Sequence, residues 1–201
     1  MSPGREFAEL YRRDLTRLIQ ELQAFPDDET LWRCLPGVSN PAGNLALHLE
    51  GNLREFIGRQ LGSVTYQRQR DAEFRSQGVG REELVKRIEA VRSLIPEILG
   101  GLSEEALTGT HPENVVGVPR STREVLMSLH GHLNYHLGQI DYLRRILTRG
   151  KAVDFVGLAS DPETVFDLGS SAESDIAQHK DRMTADAFAA RRDLRNPRSS
   201  T

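Results

Sequence analysis

Apolar side chains recur at steps of three and four along four separate stretches of the chain, the pattern of helices that each bury one face. The first stretch opens after Ser2 with Pro3 in its first turn, sets Phe7, Leu10, Tyr11, Leu18, Leu22 and Phe25 on one side, and stops at Pro26. Asp27 and Asp28 then cap a short turn that holds Leu31, Trp32 and Leu35 before Pro36-Gly37. Asn40-Pro41 reads as an N-cap followed by a proline at the first helical position, opening a second helix that runs to about residue 61. Its buried side carries Leu45, His48, Leu49, Asn52, Phe56 and Ile57. The third helix spans about residues 81 to 99, with Leu84, Ile88, Val91, Ile95, Ile98 and Leu102 in step and Gly100-Gly101 closing it. Pro96 inside it predicts a kink. Ser121-Thr122-Arg123-Glu124 matches the capping box and opens the fourth helix, whose stripe is Val125, Leu129, His132, His136, Ile140, Leu143 and Leu147.

The connections shape this into an all-α, four-helix protein. Residues 62–79 carry glycine and many polar side chains without a sustained period, longer than a hairpin between neighbouring helices needs, so they read as a crossover. Residues 103–120 form a second long connection, with a short turn from Ser103. Residues 1–150 therefore make one helical domain. From Lys151 onward only eleven residues are Val, Ile, Leu, Met or Phe, and 151–201 read as an extension. A short amphipathic helix over about 172–191, using Ile176, Met183 and Phe188, is the one element expected there.

Charge narrows the partners. Lys and Arg number 26 against 29 Asp and Glu, interspersed, for a formal charge of −3, which leaves no electrostatic footprint for nucleic acid. Neither an N-terminal signal segment nor a run of apolar residues long enough for a membrane span is present, so the expected location is cytoplasmic. The single cysteine, Cys34, has no intrachain disulfide partner and is read as a buried, inert thiol beside Trp32.

The candidate chemistry lies in the histidines. His132 and His136 are four residues apart, which puts both rings on one helix face about 6 Å apart along the axis, where they can share one metal ion. They interrupt the stripe that should face the core, where an unpaired polar ring costs about 1–3 kcal/mol. His48 lies near the middle of the core side of the second helix, as the pair lies near the middle of the fourth. Three neutral imidazoles from two helices would form a site that keeps coordination positions open. Satisfied core or solvated histidines are the alternative. Leu133 stands where the His-Glu-x-x-His metalloproteases need glutamate, and no histidine has the glutamate three residues before it that a di-iron bundle requires. His130, about 200° round the helix from His132, is read as surface or supporting at best, and His111 and His179 as structural or solvated.

Two segments carry a resemblance: Asn44-Leu45-Ala46-Leu47-His48-Leu49-Glu50-Gly51-Asn52, and His132-Leu133-Asn134-Tyr135-His136-Leu137-Gly138-Gln139-Ile140. Together they resemble the DinB/YfiT-like superfamily, over about residues 5–150. The resemblance implies a four-helix bundle running up-down-down-up, with a long crossover between helices two and three. It also implies a triad of His48, His132 and His136 binding one divalent ion, zinc or nickel foremost, and a homodimer. Relatives of that superfamily include metal-dependent S-transferases and an isomerase that use low-molecular-weight thiols.

The expected function is therefore a metal-dependent thiol S-transferase acting on a small electrophile, with a low-molecular-weight thiol as cosubstrate. A noncatalytic, metal-stabilised or dimerising bundle is the alternative, and a metal-dependent hydrolase a third reading. Asn52, one turn beyond His48, is the candidate to orient bound water or substrate; Arg68 and Arg70 are candidates to bind an anionic substrate; Tyr135 and Gln139 are candidates to support the helix-four ligands.

Overall fold

A computed structural model describes residues 2–113, 117–151 and 153. These form α1 (Pro3–Gln23), α2 (Asp28–Leu31), α3 (Ala42–Leu53), α4 (Gln60–Gly62), α5 (Arg70–Arg75), α6 (Arg81–Gly100), α7 (Glu104–Thr108) and α8 (Thr122–Thr148). A π-helical turn, Arg54–Arg59, joins α3 to α4 without a break. Among the described residues the strand-like pairing is an isolated bridge between Thr110 and Ser121. The expected helix over 172–191 and His179 lie outside the described residues.

Local signals set the helix ends. Asp27 accepts a hydrogen bond from the Thr30 amide at 2.7 Å and opens α2, and Ser103 accepts from the Ala106 amide at 3.1 Å and opens α7. Ser121 and Glu124 form the full capping box: the Ser121 amide donates to Glu124 Oε2 at 2.9 Å and the Glu124 amide to Ser121 Oγ at 3.3 Å. Pro41 is the N-cap of α3, one position earlier in the helix than expected.

The direction of each long helix follows from its contacts. Gly4 near the start of α1 lies against carbonyls of Leu99 and Leu102, and Arg81 at the start of α6 donates to the Phe25 carbonyl, so α1 and α6 are antiparallel. Tyr11 donates to the Leu126 carbonyl at 2.7 Å and Glu21 pairs with Arg144, so α1 and α8 run parallel. Glu50 pairs with Arg87, and Gly58 and Gly62 face Leu94 and Ile98, so α3 and α6 run parallel as well. The order is up, down, down, up. Two parallel neighbours cannot be joined by a short turn, which is why residues 62–79 cross over the bundle.

That crossover contains α5, which has no apolar period of its own and was not expected. It is held by α3: Asn44 Nδ2 donates to the carbonyls of Glu73 and Ser76, each at 2.8 Å. With α5, α6 and α8 all packed around it, every residue of α3 is buried, where the sequence suggested a single buried side. Small residues make room: a β-carbon on Gly43 would lie 2.8 Å from the Trp32 ring.

Two more expectations are corrected. Leu10 is 37% exposed, because the α1 seam runs through Tyr11, Leu15, Leu18 and Leu22. On α8 the fully buried line is Leu126, Leu133 and Ile140 with Leu129 and Leu137 beside it, and His132 and His136 sit at its half-buried edge toward α3. Polar rings that need partners are more cheaply held at such an edge than in its centre.

Candidate metal centre

Helix α8 carries polar residues at 130, 132, 134 and 136, and its phase divides them. His132 and His136 face α3, whereas His130 and Asn134 face α1. On the α3 side, His48 Nε2 lies 3.2 Å from His132 Nε2, which lies 3.0 Å from His136 Nε2. All three nitrogens fall within 4.8 Å of one another. Four-coordinate zinc at about 2.0–2.1 Å from each nitrogen sets ligand nitrogens about 3.3 Å apart, close to these separations.

The tautomers explain why the cluster suits a cation. His48 Nδ1 lies 2.9 Å from Glu73 Oε2. A carboxylate only accepts, so Nδ1 carries the proton and Nε2 is bare. Arg68 Nη2 also approaches that Nδ1, at 3.3 Å, but the shorter carboxylate contact decides the tautomer, since a bare Nδ1 would set lone pair against lone pair. His136 Nδ1 donates to Gln139 Oε1 at 2.7 Å, which leaves its Nε2 bare too. His132 Nε2 touches both bare nitrogens and can donate a proton to only one, and its Nδ1 is buried without a partner. A metal ion at the meeting point would use all three lone pairs at once.

Burial reinforces this. It pushes the His132 pKa down to about 4, helped by the charges of His136, His48 and Arg68. It also lowers the His136 pKa, with His48 adding and the Gln139 bond opposing. Neutral rings at neutral pH are the form that binds metal.

Glu73 was missed from the sequence, because an isolated carboxylate in an irregular crossover carries no pattern. It is buried, and although burial pushes its pKa up, hydrogen bonds from Arg68 and His48 outweigh that and lower it. Arg68 Nε donates to Glu73 Oε1 at 2.7 Å and Nη2 to Oε2 at 2.8 Å. The carboxylate seats in a notch left by Gly51, where a β-carbon would lie 2.1 Å from Glu73 Oε1. The Gly51 of the motif around His48 thus has a physical task.

The remaining candidates are placed as follows. Arg68 is engaged with Glu73 rather than standing free for a substrate anion, and Arg70 lies over the Phe74 ring at 5.5 Å. Asn52 is buried one turn along from His48 with its Oδ1 unpartnered, an acceptor still available to a ligand. Gln139 supports His136 as expected, while Tyr135 is 64% exposed and meets the His136 ring edge-on at 5.2 Å between centroids. His111 is buried in a structural role, its Nε2 3.1 Å from the Phe56 carbonyl. Cys34 is exposed rather than buried, in the loop after α2. That loop lies outside the packed seams, so apolar neighbours in sequence did not bury it.

His130 serves a different cluster. Its Nε2 lies 2.8 Å from Asp14 Oδ2, Asn134 Nδ2 donates to the same oxygen at 2.9 Å, and Arg13 Nε and Nη2 hold both oxygens at 2.8 and 3.0 Å. It stands apart from the triad of His48, His132 and His136.

Residues 5–158 match the family described as "Protein of unknown function (DUF1572)". Among solved structures, the chain is similar to a DinB-like protein from Bacillus cereus ATCC 10987, at 19% identity and TM-score 0.56 over 71% of this chain and 91% of that one. It is similar also to a conserved protein from Enterococcus faecalis, at 15% identity and TM-score 0.59 over 75% of this chain and 99% of that one. At such identities the likeness concerns the fold. No curated protein matches the sequence. Among the described residues no helix is long and apolar enough to cross a membrane.

Proposed function

Because the chain belongs to the DUF1572 family, a DinB-like family, and brings three imidazole nitrogens to one point, we propose that it holds one divalent metal ion on His48, His132 and His136 and acts as a thiol S-transferase on a small electrophile. The observation that carries the reading is the tautomer pattern: Glu73 and Gln139 fix two rings with Nε2 bare, and His132 cannot satisfy both. Zinc or nickel suits three neutral nitrogens, and such an ion would lower the pKa of a bound thiol and hold its sulfur ready to attack. In the transfer the thiol would lose its proton to solvent, a sulfur–carbon bond would form, and the bond from that carbon to the leaving group would break, the leaving group taking the bonding electrons. The chain's own residues position the ligands through Glu73 and Gln139, and offer Asn52 Oδ1 as a hydrogen-bond acceptor for a bound water.

The hydrolase reading is weaker, since Glu73 contacts His48 on the nitrogen that turns away from the meeting point and already holds Arg68. The noncatalytic reading has one observation in its favour: the ligands come from two helices, so an ion would clip α3 to α8.

The test is elemental analysis of the purified protein beside a His132→Ala, His136→Ala variant, with thermal unfolding before and after chelation. We expect near one metal per chain, lost in the variant, and a melting temperature that falls on chelation. Metal-dependent conjugation is then sought with glutathione, mycothiol and bacillithiol against an electrophile panel. No metal in either protein would end the whole reading; metal without conjugation by any thiol would leave the structural one.

A further inference from the structure

A cleft of about 560 Å³ opens beside the triad, between α8 and the loop that joins α2 to α3. His136 is in its wall, so one end of the cleft reaches a ring whose Nε2 belongs to the triad. Apolar groups make most of the rest: Leu35 and Val38 from the loop, Leu45 from α3, and Tyr142, Leu143 and Ile146 from α8. Among the described residues, twelve line it and none of them is Asp, Glu, Lys or Arg. Arg145, which stacks over the Tyr142 ring at 5.5 Å, is not among them and is paired with Asp141. The contrast is a second cavity of about 450 Å³, lined by Glu55, Arg59, Arg68, Arg70 and Glu113 among others.

The two cavities therefore differ in charge: one is lined by paired ions, the other by none. A carboxylate moved into the uncharged cleft would lose water with no cation to replace it. An apolar body would cover Tyr142 and Ile146, which are 64% and 61% exposed, and an aromatic ring could pack offset on Tyr135 or Tyr142, seven residues apart on one face of α8. We propose that this cleft receives an uncharged, apolar small molecule, aromatic or branched aliphatic, whose reactive end is presented at the triad. The inference rests on the metal reading above for the role of that end, but the cleft's preference for an uncharged body stands on its lining alone.

The test uses a matched pair that differs only in charge, benzyl mercaptan and 4-(mercaptomethyl)benzoate, titrated against the full chain loaded with cobalt(II) and read by visible absorption. Benzyl mercaptan should bind at least about tenfold more tightly. Ile146→Lys, at the rim and away from the triad, should erase or reverse that ratio while cobalt content stays the same. Equal affinities, a preference for the benzoate, or a ratio unmoved by Ile146→Lys would overturn the proposal. The same pair as methyl thioethers is measured on metal-free protein by saturation-transfer NMR. If the protein takes up no cobalt, the metal reading fails; a thioether preference that survives still upholds the cleft assignment, and its absence refutes it.

Discussion

The two sides of α8 hold polar clusters of similar make-up with opposite bonding. Toward α1, Asp14 accepts from Arg13, Arg17, His130 and Asn134, so every partner it needs is supplied by the chain. Toward α3, three imidazoles converge with one proton too few, and His132 Nδ1 has no partner. Spacing alone does not separate the two, since His130 and Asn134 stand four apart just as His132 and His136 do. What separates them is whether acceptor and donor capacity match, and the cluster left short of a proton is the one with lone pairs to offer a cation.

The comparison breaks most visibly through a charge that only the α1 side needs. Glu21 is fully buried against Arg144, which also donates to the Lys151 carbonyl at 3.0 Å. Glu21→Ala should cost about 3 kcal/mol in urea unfolding, the low end for breaking a buried pair, because the buried guanidinium keeps Asp141 at 3.3 Å as its remaining carboxylate. Metal content of the folded fraction should not change; a loss of metal there would show that the two sides are not independent.

The next test addresses the α3 side without touching a ligand. Glu73→Gln removes the carboxylate that fixes His48, and Gly51→Ala puts a methyl group where that carboxylate sits. Each should weaken metal binding about 10–100-fold in competition with a chromophoric chelator. Unchanged affinity in both would show that the His48–Glu73 contact does nothing for the centre.

pH should separate the clusters in the metal-free protein. The folded His132 pKa of about 4 lies below its ordinary 6.5, so the unfolded chain takes the proton first. Stability is therefore full above about pH 6.5, falls as pH drops toward about 4, and levels off below that. Asp14 is held far below the ordinary carboxylate range, because bonds from His130, Arg13 and Asn134 outweigh the upward push of burial. Its contribution is full above about pH 4 and is lost only below. Urea midpoints against pH should show His132→Asn flattening the upper limb and Asp14→Asn the lower one; a single shared limb would contradict the assignment.

The smallest effect serves as the control. Ser121→Ala removes the side-chain oxygen that caps α8, eleven residues before the first triad member on that helix, His132, and should cost about 1 kcal/mol of stability. Metal affinity should stay as it was, measured by the same chelator competition.

Much of the fold was legible because helix signals are local. Ser121 with Glu124, Ser103, Asp27 and Pro3 mark starts through bonds or geometry within a few residues, and the period of three and four marks the buried faces of α1, α6 and α8. The same locality explains the errors. Leu10 fits the period of α1 as well as Tyr11 does, and only the position of α8 and α6 decides which of them is covered. The resemblance supplied the up-down-down-up order that the packing then showed, whereas α5 has no period of its own and forms where α3 holds it.

By itself, then, the sequence determined four amphipathic helices, their capped starts, the need for a crossover, and the three histidines at matching depth on two of them. Those are properties of neighbours within one or two helical turns, which a chain carries wherever it goes. Only the tertiary structure decided that His130 pairs with Asp14, that Arg68 answers Glu73, that Cys34 is exposed, and that Glu73 sets the tautomer of His48 from 25 residues away. Each of these depends on which donor meets which acceptor across a helix interface. That matching is fixed by the relative position of whole helices and leaves no periodic trace in the order of the residues.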